Sequence, residues 1–216
     1  MRSARRDGKW APDYGGNDLG VDMLKGAVAG AIGVWAMDRV DWFMYLRLLD
    51  TPKSRRQTDF VRPSGMDPAH AMANRGARAL GLTPPAPWKQ NPAGLAVHYS
   101  LGIAPGALYG ALRGRVPYVD AGGGLLYGLG LFVVEDEIAN PLMRFAAPPQ
   151  DYPWQAHVRG FVAHLVYGAV TELVMQALTP PRRNQRPPGR PRAFRRPETP
   201  SRDRFETARE AAAMNQ

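Results

Sequence analysis

Ionisable side chains sit inside largely apolar stretches of the 216-residue chain, foremost Asp38 in GAVAGAIGVWAMDRVDWFMY, His98 in LAVHYSLGIAPGALYGAL, Glu135 in YGLGLFVVEDEIANPL, and His164 and Glu172 in the run that ends at Leu178. An imidazole titrates near neutrality, and a carboxylate taken out of water is pushed towards it. Such a set can take up and release protons, which points to proton or ion coupling or to pH sensing. Asp41, Asp136, Glu137, Tyr109 and Tyr167 lie close enough in sequence to join it. Nucleophilic catalysis has poorer support, because Ser100 and Thr171 are not in a nucleophile-elbow context. The glycines at 122–124 form neither a phosphate loop nor a strand-to-helix fingerprint. His and carboxylate on facing helices suit a metal, but the Glu-x-x-His motif of helical di-metal sites is missing. No metal ligand and no cofactor is therefore assigned, and a metal-dependent membrane enzyme stands as the third reading.

The elements that must position these residues are four apolar segments, 23–46, 92–112, 122–143 and 160–178. At 1.5 Å rise per residue each is long enough for a hydrocarbon layer roughly 30 Å thick. Gly26, Gly30 and Gly33, then Gly102, Gly106 and Gly110, then Gly128 and Gly130, and finally Gly168 recur at helix-packing spacing. Glycine weakens a water-exposed helix by about 1 kcal/mol relative to Ala, whereas in lipid it lets backbones approach and pack. The expected fold is all-α, a four-helix transmembrane bundle. A soluble helical bundle is the alternative, since every segment carries charge or His. The connection 47–91 is expected to hold one short helix, 68–80, started by Asp67-Pro68 and ended by Gly81.

Laying the first segment on the third at an offset of 97 matches Gly26 with Gly123, Gly33 with Gly130 and Asp38 with Glu135. Laying the second on the fourth at 66 matches His98 with His164 and Gly102 with Gly168. The bundle then reads as two similar hairpins, each with a carboxylate going out and a His coming back. A charge facing lipid at the midplane costs about 2.5 to 3.5 kcal/mol. Asp38, His98, Glu135 and His164 are therefore expected to turn towards one another, with Arg39 as a further counter-ion and Glu172 deeper, near the midplane, either a functional acid or held in a structural hydrogen bond to Tyr109 or Tyr167. Pro105 should bend the second helix and free a carbonyl. His70 is expected at the surface and His157 as an anchor at the outer interface.

Basic residues outnumber acidic ones 28 to 19, a formal charge of +9. Ten arginines and four acids follow Thr179, so the tail carries most of the excess. Its repeated Pro opposes regular structure, and 179–216 is expected to be a disordered cytoplasmic tail, with a short helix from Ser201 to about Ala213 as an option. Residues 1–22 read as a flexible lead without a signal-peptide core. Arg and Lys flank the segments so that both ends fall in the cytoplasm, although the basic 47–91 connection pulls the other way. The expected partners are the bilayer, anionic lipid headgroups for the tail, and protein partners or a second copy; nucleic acid is not, for want of interleaved aromatics. Cysteine is absent, which excludes disulfides and thiolate chemistry.

The runs GAVAGAIGVWAMDRVDWFMY, HYSLGIAPGALYGALRGRVP, YGLGLFVVEDEIANPL and YPWQAHVRGFVAHLVYG, covering about 23–178, resemble the YagU-like family of uncharacterised bacterial inner-membrane proteins. The resemblance implies a multi-pass inner-membrane protein and carries over no catalytic residues. The Arg/Pro-rich tail lies outside it. A non-catalytic scaffold or complex subunit is the second functional reading.

Overall fold

The computed structural model describes residues 18–86 and 90–179, and within them six helices and no strand. The expectations for residues 1–17 and for the tail beyond 179 lie outside the described residues. Helix α1 runs Leu19–Leu48, its last five residues, Met44–Leu48, wound as a π-helix. It begins four residues before the expected 23, because the Asp18 side chain accepts from the Gly20 N–H and caps it. Helix α2 (Pro52–Val61) was not expected. Thr51 and Ser54 form a reciprocal capping box and Pro52 supplies the first turn. Helix α3 (Pro68–Ala79) starts on Asp67, and α4 (Pro92–Leu112) on Asn91, each again followed by Pro.

Helix α5 is a rod over residues 125–142: an α-helical start (Leu125–Leu131), a π-helical centre (Phe132–Ala139) and a final turn (Asn140–Leu142). It does not begin at 122. Gly122, Gly123 and Gly124 all have positive φ, and Gly124, at φ 90°, turns the chain directly against the Gly168 carbonyl, where a side chain has no room. Helix α6 (Trp154–Leu178) begins six residues before the expected 160.

Helices α1, α4 and α6 are long and apolar enough to cross a membrane. Their apolar side chains point outwards: Leu24, Val28, Ile32, Trp35 and Trp42 on α1, Leu95 and Leu108 on α4, and Trp154 and Leu173 on α6 are exposed. The interior instead holds Arg159, His164, Thr171 and Glu172 alongside Tyr109, Tyr167 and Met175. A water-soluble bundle buries its leucines; this arrangement is the reverse.

The helices meet through glycine. On α1, a Cβ at Gly26 or Gly30 would run into the α4 backbone at Gly106, Gly110 and Gly102; on α5, one at Gly128 would meet the α6 backbone at His164 and Gly168. Gly33 faces Tyr167 and Thr171 of α6. Gly130 has nothing within 4 Å and plays no part in packing. The two pairs are similar, but not in the expected register. Gly102 packs on Val34 as Gly168 packs on Gly128, and Gly30 meets Gly102 and Gly106 as Gly124 meets Gly168 and Glu172. The first and third helices therefore correspond at an offset of 94, while 66 holds for the other two. Gly-to-Gly matches at 97 misled because glycine is frequent. At 94, Asp38 corresponds to Phe132, not to Glu135.

Two tyrosines tie the pairs together: Tyr167 Oη donates to the Gly102 carbonyl (2.6 Å) and Tyr127 Oη to that of Pro105 (2.7 Å). The carbonyl relieved by the missing Pro105 N–H is four residues back, at Leu101, and neither tyrosine takes it.

Candidate functional site

The buried ionisable residues do not form one cluster. They divide between the two ends of the helices. At the end where α4 and α6 finish, Glu172 accepts from Tyr109 Oη (2.6 Å), Arg113 Nε (2.7 Å) and Nη2 (2.9 Å), and Gln176 Nε2 (2.8 Å). Because α6 starts earlier than expected, Glu172 is 18 residues, about 27 Å, from that start and six, about 9 Å, from the helix end, rather than near the middle. Arg113, just past the end of α4, is therefore able to reach it. The carboxylate holds the Arg113 guanidinium protonated more firmly than usual, its hydrogen bonds outweighing the burial that opposes charge. Arg115 Nη2 bonds Asp22 (2.9 Å) at the same end. These are fully partnered ties between helices, with the chemistry of a lock.

The opposite end carries the histidines. His98 Nε2 of α4 lies 2.9 Å from Asp38 Oδ1 of α1. His164 sits beside the Phe132 ring, 5.8 Å between centroids, which takes the place that Asp38 has beside His98. Its Nδ1 bonds the Gly160 carbonyl (2.8 Å) and lies 3.7 Å from Asp136, the next residue after the expected Glu135. The wider π winding of Phe132–Ala139 turns α5 so that Asp136 faces α6. Glu135 makes no contact with a His, and Arg39 is exposed and stacked on Trp35 (5.4 Å) rather than pairing with the cluster.

His157 is held at both ring nitrogens. Its Nδ1 lies 2.8 Å from Glu137 Oε1 and its Nε2 2.9 Å from the Pro149 carbonyl. Both ring nitrogens face acceptors, a geometry filled by two N–H donors and left half-filled by one.

Arg159 joins α6 to the end of α1. Nε donates to Asp41 (2.7 Å) and Nη1 to Asp50 (2.6 Å), with the guanidinium 4.8 Å from the Tyr45 ring centroid. Sequence reasoning missed this centre; the signal was Asp41 inside the first apolar segment and Arg159 one residue before the fourth, more than a hundred residues apart. The 47–91 connection covers the site. Arg55 donates to the Tyr45 and Leu46 carbonyls and closes the α1 terminus. Arg75 donates to the Met143 carbonyl (2.7 Å) and lies over the Phe145 ring. His70 is not a surface residue: only 13 % of its side chain is exposed, its ring lies against Gly94 of α4, and its Nδ1 bonds Asp67 (2.7 Å). Although burial works against ionisation of Asp67, the His70 side-chain and backbone hydrogen bonds hold its carboxyl below the usual range. Burial pushes the Tyr152 phenol up.

Beneath this cover lies a cleft of about 150 Å³, lined among others by Thr58, Phe132, Asp136, Glu137, Tyr152 and His157. Among the described residues no three His, Asp or Glu side chains converge as a metal site would require.

Comparison with known proteins adds a family without an assigned activity. The model described as "Protein of unknown function (DUF1440)" matches residues 87–173, which takes in His98, Arg113, Asp136, His157, Arg159, His164 and Glu172 and leaves out Asp38 and Asp41. No curated protein matches the chain, and no solved structure does. Over α4 to most of α6, the chain is similar to this uncharacterised family.

Proposed function

We propose that the chain is a multi-pass inner-membrane protein that responds to pH at the outer end of its helix bundle. The three apolar helices and their outward-facing leucines and tryptophans support a lipid surrounding. In this reading α5 is the fourth crossing; its three consecutive acids, Glu135, Asp136 and Glu137, are accommodated because they lie towards the polar end, two of them facing His. Both termini are cytoplasmic, which sets the α1–α2 and α5–α6 connections outside, and the basic tail lies near anionic headgroups. The resemblance to the YagU-like family agrees with this placement.

The observation that carries the reading is that three His–carboxylate contacts, Asp38–His98, Asp136–His164 and Glu137–His157, each join two different helices at one end of the bundle. Protonating His98 and His157 turns their contacts into charge-assisted bonds between α1 and α4 and between α5 and α6, whereas His164 Nδ1 already donates to the Gly160 carbonyl and gains only charge beside Asp136. The opposite end is held by the Glu172 tie, which has no His. The arrangement favours a sensor over a proton path, since Glu172 is committed to four bonds from Tyr109, Arg113 and Gln176.

A scaffold role draws less from the structure. The glycines that would advertise a partner surface are largely used in packing within the chain. The test is reconstitution of the protein in vesicles, with conformation and proton flux followed from pH 5 to 8. A pH-dependent change without flux supports the sensor; flux abolished by Glu172→Gln supports a path instead.

A further inference from the structure

We propose that the outer cleft binds a small organic cation, an ammonium group on a compact body, with the Asp136 carboxylate as its counter-ion. The assignment rests on reading this end as the outer, polar end of the bundle.

Charge selects the sign of the ligand. Around the cleft stand the carboxylates of Asp136 and Glu137 and, behind its two arginines, those of Asp41, Asp50 and Asp59. Five carboxylates face the two guanidinium groups of the wall, Arg62 and Arg159, together with Arg55 behind them, which donates to the Asp50 carbonyl. Both wall guanidiniums already have acidic partners, Arg159 at 2.7 and 2.6 Å and Arg62 at 3.6 Å. While the imidazoles are neutral the surroundings are negative, so an anion is disfavoured.

Asp136 is the carboxylate left to bind. The nearest basic nitrogen is His164 Nδ1 at 3.7 Å, and that nitrogen is bonded at 2.8 Å to the Gly160 carbonyl. The neutral Asn140 amide lines the same wall. Glu137, by contrast, is taken by His157. A second group independently asks for a ligand: Thr58 is 2 % exposed, lines the cleft, and its Oγ1 has no hydrogen-bond partner. A buried hydroxyl without a partner costs about 1–3 kcal/mol, and an ammonium N–H or a ligand hydroxyl would satisfy it.

Size and wall chemistry narrow the class. A cleft of about 150 Å³ takes a guest of roughly benzene size, far larger than a bare ion. Phe132 and Tyr152 supply aromatic surface, and Ala147 and Ala156 apolar surface, suited to a cation with an aliphatic body. The same ammonium chemistry is offered by a free amine outside the cell and by the ethanolamine headgroup of a lipid in the outer leaflet.

Two arms separate these sources. In the first, ethanolamine hydrochloride and methylammonium chloride are titrated by calorimetry into the full chain in an amine-free detergent, with sodium acetate and sodium chloride as controls. In the second, the protein in nanodiscs of phosphatidylethanolamine or phosphatidylglycerol is released and weighed by native mass spectrometry. The expected result is saturable amine binding with Kd on the order of 1 mM, or selective retention of phosphatidylethanolamine. Asp136→Asn should weaken either by at least about tenfold, and Thr58→Val by about threefold. Ala156→Leu, which fills the cleft, should abolish it. If Asp136→Asn fails to fold, the other two variants carry the test. The proposal is overturned if neither source binds, the cleft then holding water only, or if the variants that fold bind as the wild type does. Binding is read at one pH, so its failure leaves the pH-response reading intact, and loss of the pH response leaves the cleft's ligand unaffected.

Discussion

Asp38 and His98 meet across α1 and α4 with 2.9 Å between Oδ1 and Nε2. At the matching place on the second helix pair Phe132 stands beside His164. The two pairs have corresponding glycine contacts but not a common charge arrangement. Protonating His98 gives the first pair a direct ion pair, whereas His164 finds Asp136 further along α5. The pH response is accordingly expected to be larger in the first pair.

The close glycines make a stability prediction with an internal control. Gly106→Val forces a side chain into the α1 backbone at Gly26 and Gly30, and should destabilise the fold by about 3 kcal/mol or prevent it. Gly130→Ala enters open space within a helix and should stabilise by up to about 1 kcal/mol. Thermal unfolding of the two variants in one detergent measures both.

Arg159→Met leaves Asp41 and Asp50 without their shared cation. The Asp50 side chain is fully buried, so the cost should be about 3–5 kcal/mol. Arg159→Met with Asp50→Asn should recover part of that loss, and a double-mutant cycle on the melting temperature reads the coupling.

The Asp67 tie should fail in acid. Its folded pKa lies below its ordinary value of 3.8. Its contribution is therefore complete above the unfolded pKa and is lost as pH falls through the folded one. Protection of the α3 amides should drop below about pH 4 in the wild type. Asp67→Ala, which removes the α3 cap, should cost about 1 kcal/mol at neutral pH and flatten that acid-side loss.

Local chemistry was legible where the chain states it directly. Asn91-Pro92 and Asp67-Pro68 announce helix starts, and Thr51-Pro52 announces α2 to a reader who weighs the cap before the hydropathy. The π winding of α5 leaves no mark in composition, so nothing in the sequence favoured Asp136 over Glu135 as the residue facing His164. Arg159 was hidden for a different reason: its partners, Asp41 and Asp50, come from another helix and a connection, and only packing brings them together. Glu172 was readable as a buried acid, but its depth depended on where α6 begins, and no side chain caps that start.

The Glu172 tie should behave as structure. Glu172→Gln keeps a partner for Tyr109 but gives up the charge facing Arg113, and should lower stability by roughly 1.5–3 kcal/mol. The pH response should persist in this variant, as followed by intrinsic fluorescence of the reconstituted protein. A lost response would move the titrating centre to the inner end.

The most direct test is hydrogen exchange of the protein in nanodiscs between pH 5 and 8, read at the outer ends of α1 and α4. Protection there should change with a midpoint inside that range, and His98→Gln should remove the change while the inner ends stay constant. A flat profile, or an unaltered one in His98→Gln, would contradict the claim that the Asp38–His98 contact responds to pH.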